Sequence, residues 1–148
     1  MNLLKATFYD EFSCMGAECP LTCCGGWSIV IDEKTLKDYR MMGGEIGRFA
    51  KKCVKYDQNL QGSVVNLRET DGMCPMLDED QLCKIVLDKG AEKLCRTCVV
   101  FPRETVRSYD TDEKYIFLGC PKAVQLLFEV EDKLTFISER DPDLNMEN

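Results

Sequence analysis

The sequence predicts a small α+β fold: a single domain of short helices and a few short antiparallel strands or hairpins around a cysteine-ligated metal or iron–sulfur centre. Three observations carry that expectation. The chain holds ten cysteines in 148 residues and no histidine, far more sulfur than packing requires. Four of those cysteines crowd into Cys14–Trp27 as C-x4-C-x3-C-C, with glycines at 16, 25 and 26. Between the cysteines, stretches with helical period and stretches rich in β-branched residues are short and follow one another. The length suits one compact domain, here residues 1–140, with the polar residues 141–148 expected to fray.

Taken in order, Leu3, Leu4, Phe8 and Phe12 stand close to helical spacing. Cys19-Pro20 reads as a helix start and Gly25 as a stop, which predicts one turn over 20–24. Cys19 and Cys23 would then share a face, and Cys24 would point elsewhere. The glycine pair 25–26 lets backbone come close to a bulky neighbour. Trp27 to Ile31 predicts a strand. Asp32 predicts an N-cap for a helix to about Met41, with Leu36 and Tyr39 facing inward. Gly43-Gly44 breaks the chain. An amphipathic helix is predicted over Glu45–Asp57, its apolar face formed by Ile46, Phe49, Ala50, Cys53 and Val54.

A strand follows Gly62 as S-V-V-N-L-R-E, and Asp71-Gly72 marks a turn. A second turn falls at Asp78-Glu79-Asp80, which lacks the spacing of a calcium loop. Leu82–Leu87 is apolar and suits either helix or strand up to Gly90. Ala91–Val100 predicts a helical turn or two carrying Cys95 and Cys98, closed by Pro102. Residues 103–119 predict a hairpin about Asp110-Thr111-Asp112. Cys120-Pro121 opens a helix, and Leu134–Ile137 a last short strand.

Composition narrows the function. A formal net charge of -7 and a pI near 4.7 argue against a basic face for phosphate contacts, hence against nucleic acid as partner. The acidic surface suits a basic partner, such as a protein with exposed lysines. No run approaches the ~18 apolar residues that a membrane helix needs, and the first residues do not read as a signal peptide. These features predict a cytoplasmic protein with reduced thiols, in which clustered cysteines serve metals rather than disulfides. No phosphate loop, dinucleotide fingerprint or serine elbow occurs. The lack of histidine removes the commonest ligand of hydrolytic zinc.

A thiolate binds soft metals, and C-x2-C on a turn offers two sulfurs to one ion, so Cys95 and Cys98 form the strongest local pair. Four thiolates satisfy one zinc ion or one 4Fe-4S cluster. The nine cysteines other than Cys53, which reads as a small core residue, therefore exceed one site. Either two centres exist, or one centre with additional buried or redox-active thiols. All-sulfur ligation suits zinc and iron–sulfur alike.

The ordered motifs C-x4-C-x3-C-C-G-G-W-S-I-x-I-D, C-P-x-L-D-E-D-x-L-C-K-I, L-C-x-T-C-x-x-F-P-R and the later Cys120-Pro121 resemble the flagellin lysine-N-methylase family and its cysteine-cluster domain, a domain described as zinc- or iron-chelating. The resemblance implies an iron–sulfur protein that transfers methyl groups from S-adenosylmethionine to lysines of flagellin. It implies Cys14, Cys19, Cys23, Cys24, Cys74, Cys83, Cys95, Cys98 and Cys120 as metal ligands. Members of that family run to more than twice this length. Two other readings stand beside it: a non-catalytic zinc module that recruits a partner, and a thiol redox sensor using Cys95 and Cys98. No catalytic residue is assigned; Tyr39, Tyr109 and Tyr115 read as packing residues rather than bases. Trp27 reads as a core plug, Met15, Met73 and Met76 as gap fillers, and Arg96 and Arg103 as solvated surface arginines. Oligomeric state is not legible.

Overall fold

The computed structural model describes residues 2–68 and 70–140. Among these described residues the fold is α+β, as predicted, with two small sheets and five α-helices. The chain forms two compact units, one of Thr22–Val100 and one that joins the residues up to Leu21 with those from Phe101 onward. Residues 141–148, expected to fray, lie outside the described residues.

In Thr22–Val100 the order is β2 (Val30–Ile31), α1 (Glu33–Met42), α2 (Gly44–Lys52), β3 (Val54–Asp57), β4 (Gly62–Val65), α3 (Lys84–Lys89) and α4 (Arg96–Val100). The strands form an antiparallel sheet in the order β2-β4-β3. Helix α1 begins where Asp32 caps it: Oδ1 accepts the Thr35 amide at 2.9 Å. Leu36 and Tyr39 are buried on its inner face. Gly43, at φ +68°, ends α1 and starts α2 at once, a backbone state that glycine adopts without strain.

The second helix stops at Lys52, short of the predicted Asp57. The Cys53 carbonyl accepts the Asn66 amide at 2.6 Å, and Val54 pairs with Val65. Sheet partners thus take over where helical periodicity alone would continue. Val54 stays buried, now as a strand residue. Cys53 packs against the core, as expected of it. The predicted strands 27–31 and 63–69 shrink to the residues that find partners, with Ile29 and Ile31 facing the core. Leu36, Tyr39, Ile46, Phe49, Met76 and Ile85 build most of that core.

The other unit holds β1 (Asn2–Ala6), β5 (Arg103–Ser108), β6 (Thr111–Ile116), α5 (Pro121–Phe128) and β7 (Phe136–Arg140). Its sheet runs β5-β6-β1-β7. The hairpin β5–β6 is in place, with Ser108 opposite Thr111 and Tyr109 at φ +52° in the turn. The helical spacing near the start is overruled. Asn2–Ala6 lies parallel to β6 and antiparallel to β7, and only Thr7–Glu11 coils, as a 3-10 helix. Strand pairing on both sides satisfies more backbone groups than one isolated turn could. Ala6, Phe8, Phe12, Ile116, Ala123 and Leu126 form the core. Arg103 is not a solvated arginine: its guanidinium lies 4.9 Å from the Phe12 ring centre and donates to the Phe12 carbonyl at 3.0 Å.

Candidate metal centre

All ten cysteines are free thiols. The site begins with a short antiparallel contact between Cys24–Gly26 and Gly72–Cys74. The Gly26 amide donates to Gly72 O at 2.9 Å and the Cys74 amide to Cys24 O at 2.6 Å, which sets Cys24 opposite Cys74. Only glycine fits at 25: a Cβ there would stand 2.6 Å from Met73 Sδ and 2.8 Å from Gly72 O. This pairing is also why 20–24 is no helical turn. The Cys24 amide donates instead to the Thr22 hydroxyl at 3.1 Å, a local bond that competes with helix. Cys19 and Cys23 consequently do not stack on one helical face.

A second short contact returns Cys83 to the same neighbourhood. Leu77 bridges Cys83, and the Lys84 amide donates to Met76 O at 2.8 Å. The Asp78 carboxylate braces the intervening turn through the amides of Asp80 and Leu82, at 3.0 and 2.8 Å. Cys83 then caps the start of α3. Cys95 immediately precedes α4, its carbonyl accepting the Val99 amide at 3.0 Å. The amides of Thr97 and Cys98 turn toward the Cys95 sulfur, as does the Cys98 thiol.

The charges of these sulfurs bear on one another. Cys24 feels Cys74 and Cys83; Cys74 feels Cys83 and Cys95; Cys98 feels Cys24 and Cys74. Cys23 joins through a hydrogen bond to Cys24. Within each bonded pair one thiol is driven down and the other up. The Cys98 thiol, helped by the two amides, brings Cys95 down to about 7 against burial, and Cys98 rises correspondingly. The Cys23 thiol likewise lowers Cys24 and is itself raised. Burial pushes Cys74 up to about 11, opposed by the Met76 amide.

Six of the nine predicted ligands, Cys23, Cys24, Cys74, Cys83, Cys95 and Cys98, thus occupy Thr22–Val100 as one interacting group. The other three belong to the second unit. Cys14 is exposed and accepts the Gly16 amide at 3.4 Å. Cys19 ends the 3-10 turn Gly16–Glu18, and Cys120 caps α5 while packing against that unit's core. Soft, partly ionised sulfurs supplied with N–H donors match the donor chemistry of zinc and of iron–sulfur clusters alike. Among the described residues, no three cysteine or carboxylate groups already surround a common point as a metal would require.

The chain is 29% identical over 137 residues to the flagellar biosynthetic protein FliU of Salmonella muenchen, a match covering 90% of this chain and 81% of that protein. Two proteins named lysine-N-methylase, from Salmonella typhimurium and Salmonella choleraesuis, are each 29% identical over 143 residues. The chain resembles the lysine-N-methylases over nearly its whole length. These relatives fit the flagellin lysine-N-methylase family to which the cysteine motifs pointed. The match takes in 95% of this chain but 35% of each methylase, so the chain spans about a third of their length. No family model and no solved structure matches it. No helix among the described residues is long and apolar enough to cross a membrane.

Sequence reasoning misplaced Trp27 beside the cysteines and missed three polar supports. Trp27 is no core plug: it is 36% exposed, and its indole donates to the Cys23 carbonyl at 2.9 Å. Asp32 was legible as a cap, but not its second contact, with the Arg96 amide at 3.3 Å. Thr97, visible only as the third residue of C-x-T-C, donates its hydroxyl to Val30 O at 2.6 Å. Tyr39 is buried and donates to Lys93 O at 2.7 Å.

Proposed function

We propose that this chain is the cysteine-ligated metal domain, holding zinc or a 4Fe-4S cluster, of an S-adenosylmethionine-dependent lysine N-methylase whose substrate is a protein with exposed lysines such as flagellin. The observation that carries the reading is the gathering of Cys24, Cys74, Cys83, Cys95 and Cys98 in a chain that aligns along 95% of its length with proteins named lysine-N-methylase. Those cysteines, with Cys23, would hold the metal, and the Cys23–Cys24 and Cys95–Cys98 pairs would give up the S–H hydrogen bonds that now join them. When bound, the metal would supply a rigid junction in place of apolar core, or an open coordination position for a cofactor. S-adenosylmethionine would supply an electrophilic methyl group.

The acceptor amine must first shed a proton, its ordinary pKa being about 10.4. Tyr39 is not the base: its hydroxyl is committed to a backbone carbonyl, and burial, with the neighbouring thiols, drives its pKa up. Tyr109 stands fully exposed at a hairpin turn, and Tyr115 lies on β6. Tyr39 thus keeps the packing role read from the sequence, whereas Tyr109 and Tyr115 are exposed on the hairpin.

Anaerobic purification followed by iron, sulfide and zinc analysis tests the metal. Brown protein with iron and sulfide supports the cluster; protein free of both metals refutes the reading. Transfer of labelled methyl groups from S-adenosylmethionine to flagellin tests the activity. A second reading, a non-catalytic zinc module, draws on the chain's covering 35% of the methylases but 81% of the flagellar biosynthetic protein. Colourless protein with stoichiometric zinc, inert toward flagellin, is its signature.

A further inference from the structure

Several polar groups outside the cysteine set close on the backbone that carries Cys95 and Cys98. Asp32 is a double cap. Its Oδ1 accepts the Thr35 amide at 2.9 Å, completing the first turn of α1. Its Oδ2 accepts the amide of Arg96, the first residue of α4, at 3.3 Å. Two residues earlier in the chain, the Val30 carbonyl accepts the Thr97 hydroxyl at 2.6 Å and lies 3.7 Å from Cys95 Sγ. Just upstream of Cys95, Tyr39 holds the Lys93 carbonyl. Helix α4 has five residues and cannot persist through propensity alone. Its place is set by these bonds.

We infer that Asp32 is a positioning residue for the thiol group: it locks the Cys95-x2-Cys98 turn to the end of β2 and the start of α1, so that both sulfurs are presented together. The inference rests on the metal-binding reading above. Aspartate suits the task because its two carboxylate oxygens both accept, in different directions. Serine and asparagine each offer one side-chain oxygen and could serve one helix but not both. Residues that orient ligands without touching the metal commonly change affinity by ~10–100-fold when lost.

The test separates the two contacts. Asp32→Ser retains an oxygen for the Thr35 amide, serine being as good a cap as aspartate, and removes the oxygen that reaches Arg96. Thr97→Val leaves the α1 cap untouched and carries the same expectation. In cobalt(II) titrations of the full chain, read by thiolate-to-cobalt charge-transfer absorbance, both variants bind ~10–100-fold more weakly than the wild type. In the metal-free chain, iodoacetamide labelling of Cys95, followed by mass spectrometry, becomes several-fold faster while Cys53 labelling stays unchanged. Asp38→Asn, on the exposed side of α1, alters neither. Unchanged cobalt affinity and unchanged Cys95 labelling in Asp32→Ser overturn the inference. So does equal acceleration at Cys53, which reports general loosening. A wild-type chain that takes up no cobalt counts against the zinc form of the metal reading instead, and the labelling then decides the role of Asp32 by itself.

Discussion

The two units bury their interiors with different materials. In Thr22–Val100, Cys95 sits within the core, and Cys53, Cys74, Cys83 and Cys98 pack against it. Among the described residues of the other unit the core is six apolar residues, with Cys120 alone among the cysteines at its margin. The first unit carries α3 and α4, of six and five residues, each entered through a cysteine. The second has an eight-residue α5 that buries Ala123 and Leu126 beside a four-stranded sheet. Around the longer helices α1, α2 and α5, apolar packing holds the chain. Around the short α3 and α4 of Thr22–Val100, caps and sulfur take over.

Large-to-small changes in the cores test that contrast most strongly. Phe49→Ala should cost about 3–5 kcal/mol, read as faster hydrogen exchange in Thr22–Val100. Leu126→Ala should cost about 2–5 kcal/mol, read in the amides of the sheet-bearing unit. If Phe49→Ala proves nearly silent, sulfur and not carbon dominates the first core. Gly25→Ala comes next. Its Cβ would meet Met73 Sδ at 2.6 Å, an overpacking worth about 1–3 kcal/mol. It should also part Cys24 from Cys74 and weaken cobalt uptake; full uptake would show that this pairing does not build the site.

A pH series sharpens the comparison further. Cys95 titrates near 7 in the folded chain, below the ordinary thiol value of 9.0. Its thiolate therefore adds stability as pH rises from about 7 to 9, and that contribution is lost as pH falls through 7. Cys74 is raised to about 11 by burial, so stability falls again between 9 and 11 as the fold resists its ionisation. Denaturant midpoints of the metal-free chain should pass through a maximum near pH 9, with the transition followed in Thr22–Val100. A flat profile would show the thiols to be solvated. The smallest effect belongs to the exposed Lys34–Asp38 pair, 3.1 Å apart on α1. Asp38→Ala should cost no more than about 0.5 kcal/mol in a thermal melt.

Features encoded over a few residues were legible. Asp32 as a cap, Gly43 as a break, Asp71-Gly72 as a turn, the hairpin about Asp110 and the Cys120-Pro121 helix start all depend on local backbone chemistry. Features that depend on a distant partner were not. Leu3 and Leu4 carry helical spacing yet pair as strand with β6 and β7. Val54 continues a helical stripe yet turns into β3 once Asn66 captures the preceding carbonyl. Trp27 was misjudged because an aromatic beside glycines looks apolar until its indole is seen to reach the Cys23 carbonyl.

By itself the sequence determined the α+β class, the crowding of cysteines without histidine and the likeness to lysine-N-methylases, because composition and motif order survive without coordinates. Only the tertiary structure decided that six of the nine ligand candidates lie in Thr22–Val100 and three in the other unit, and that one carboxylate serves both α1 and the C-x2-C turn. Spacing along a chain says which thiols are neighbours in sequence. Backbone pairing, Cys24 opposite Cys74 and Leu77 beside Cys83, says which are neighbours in space.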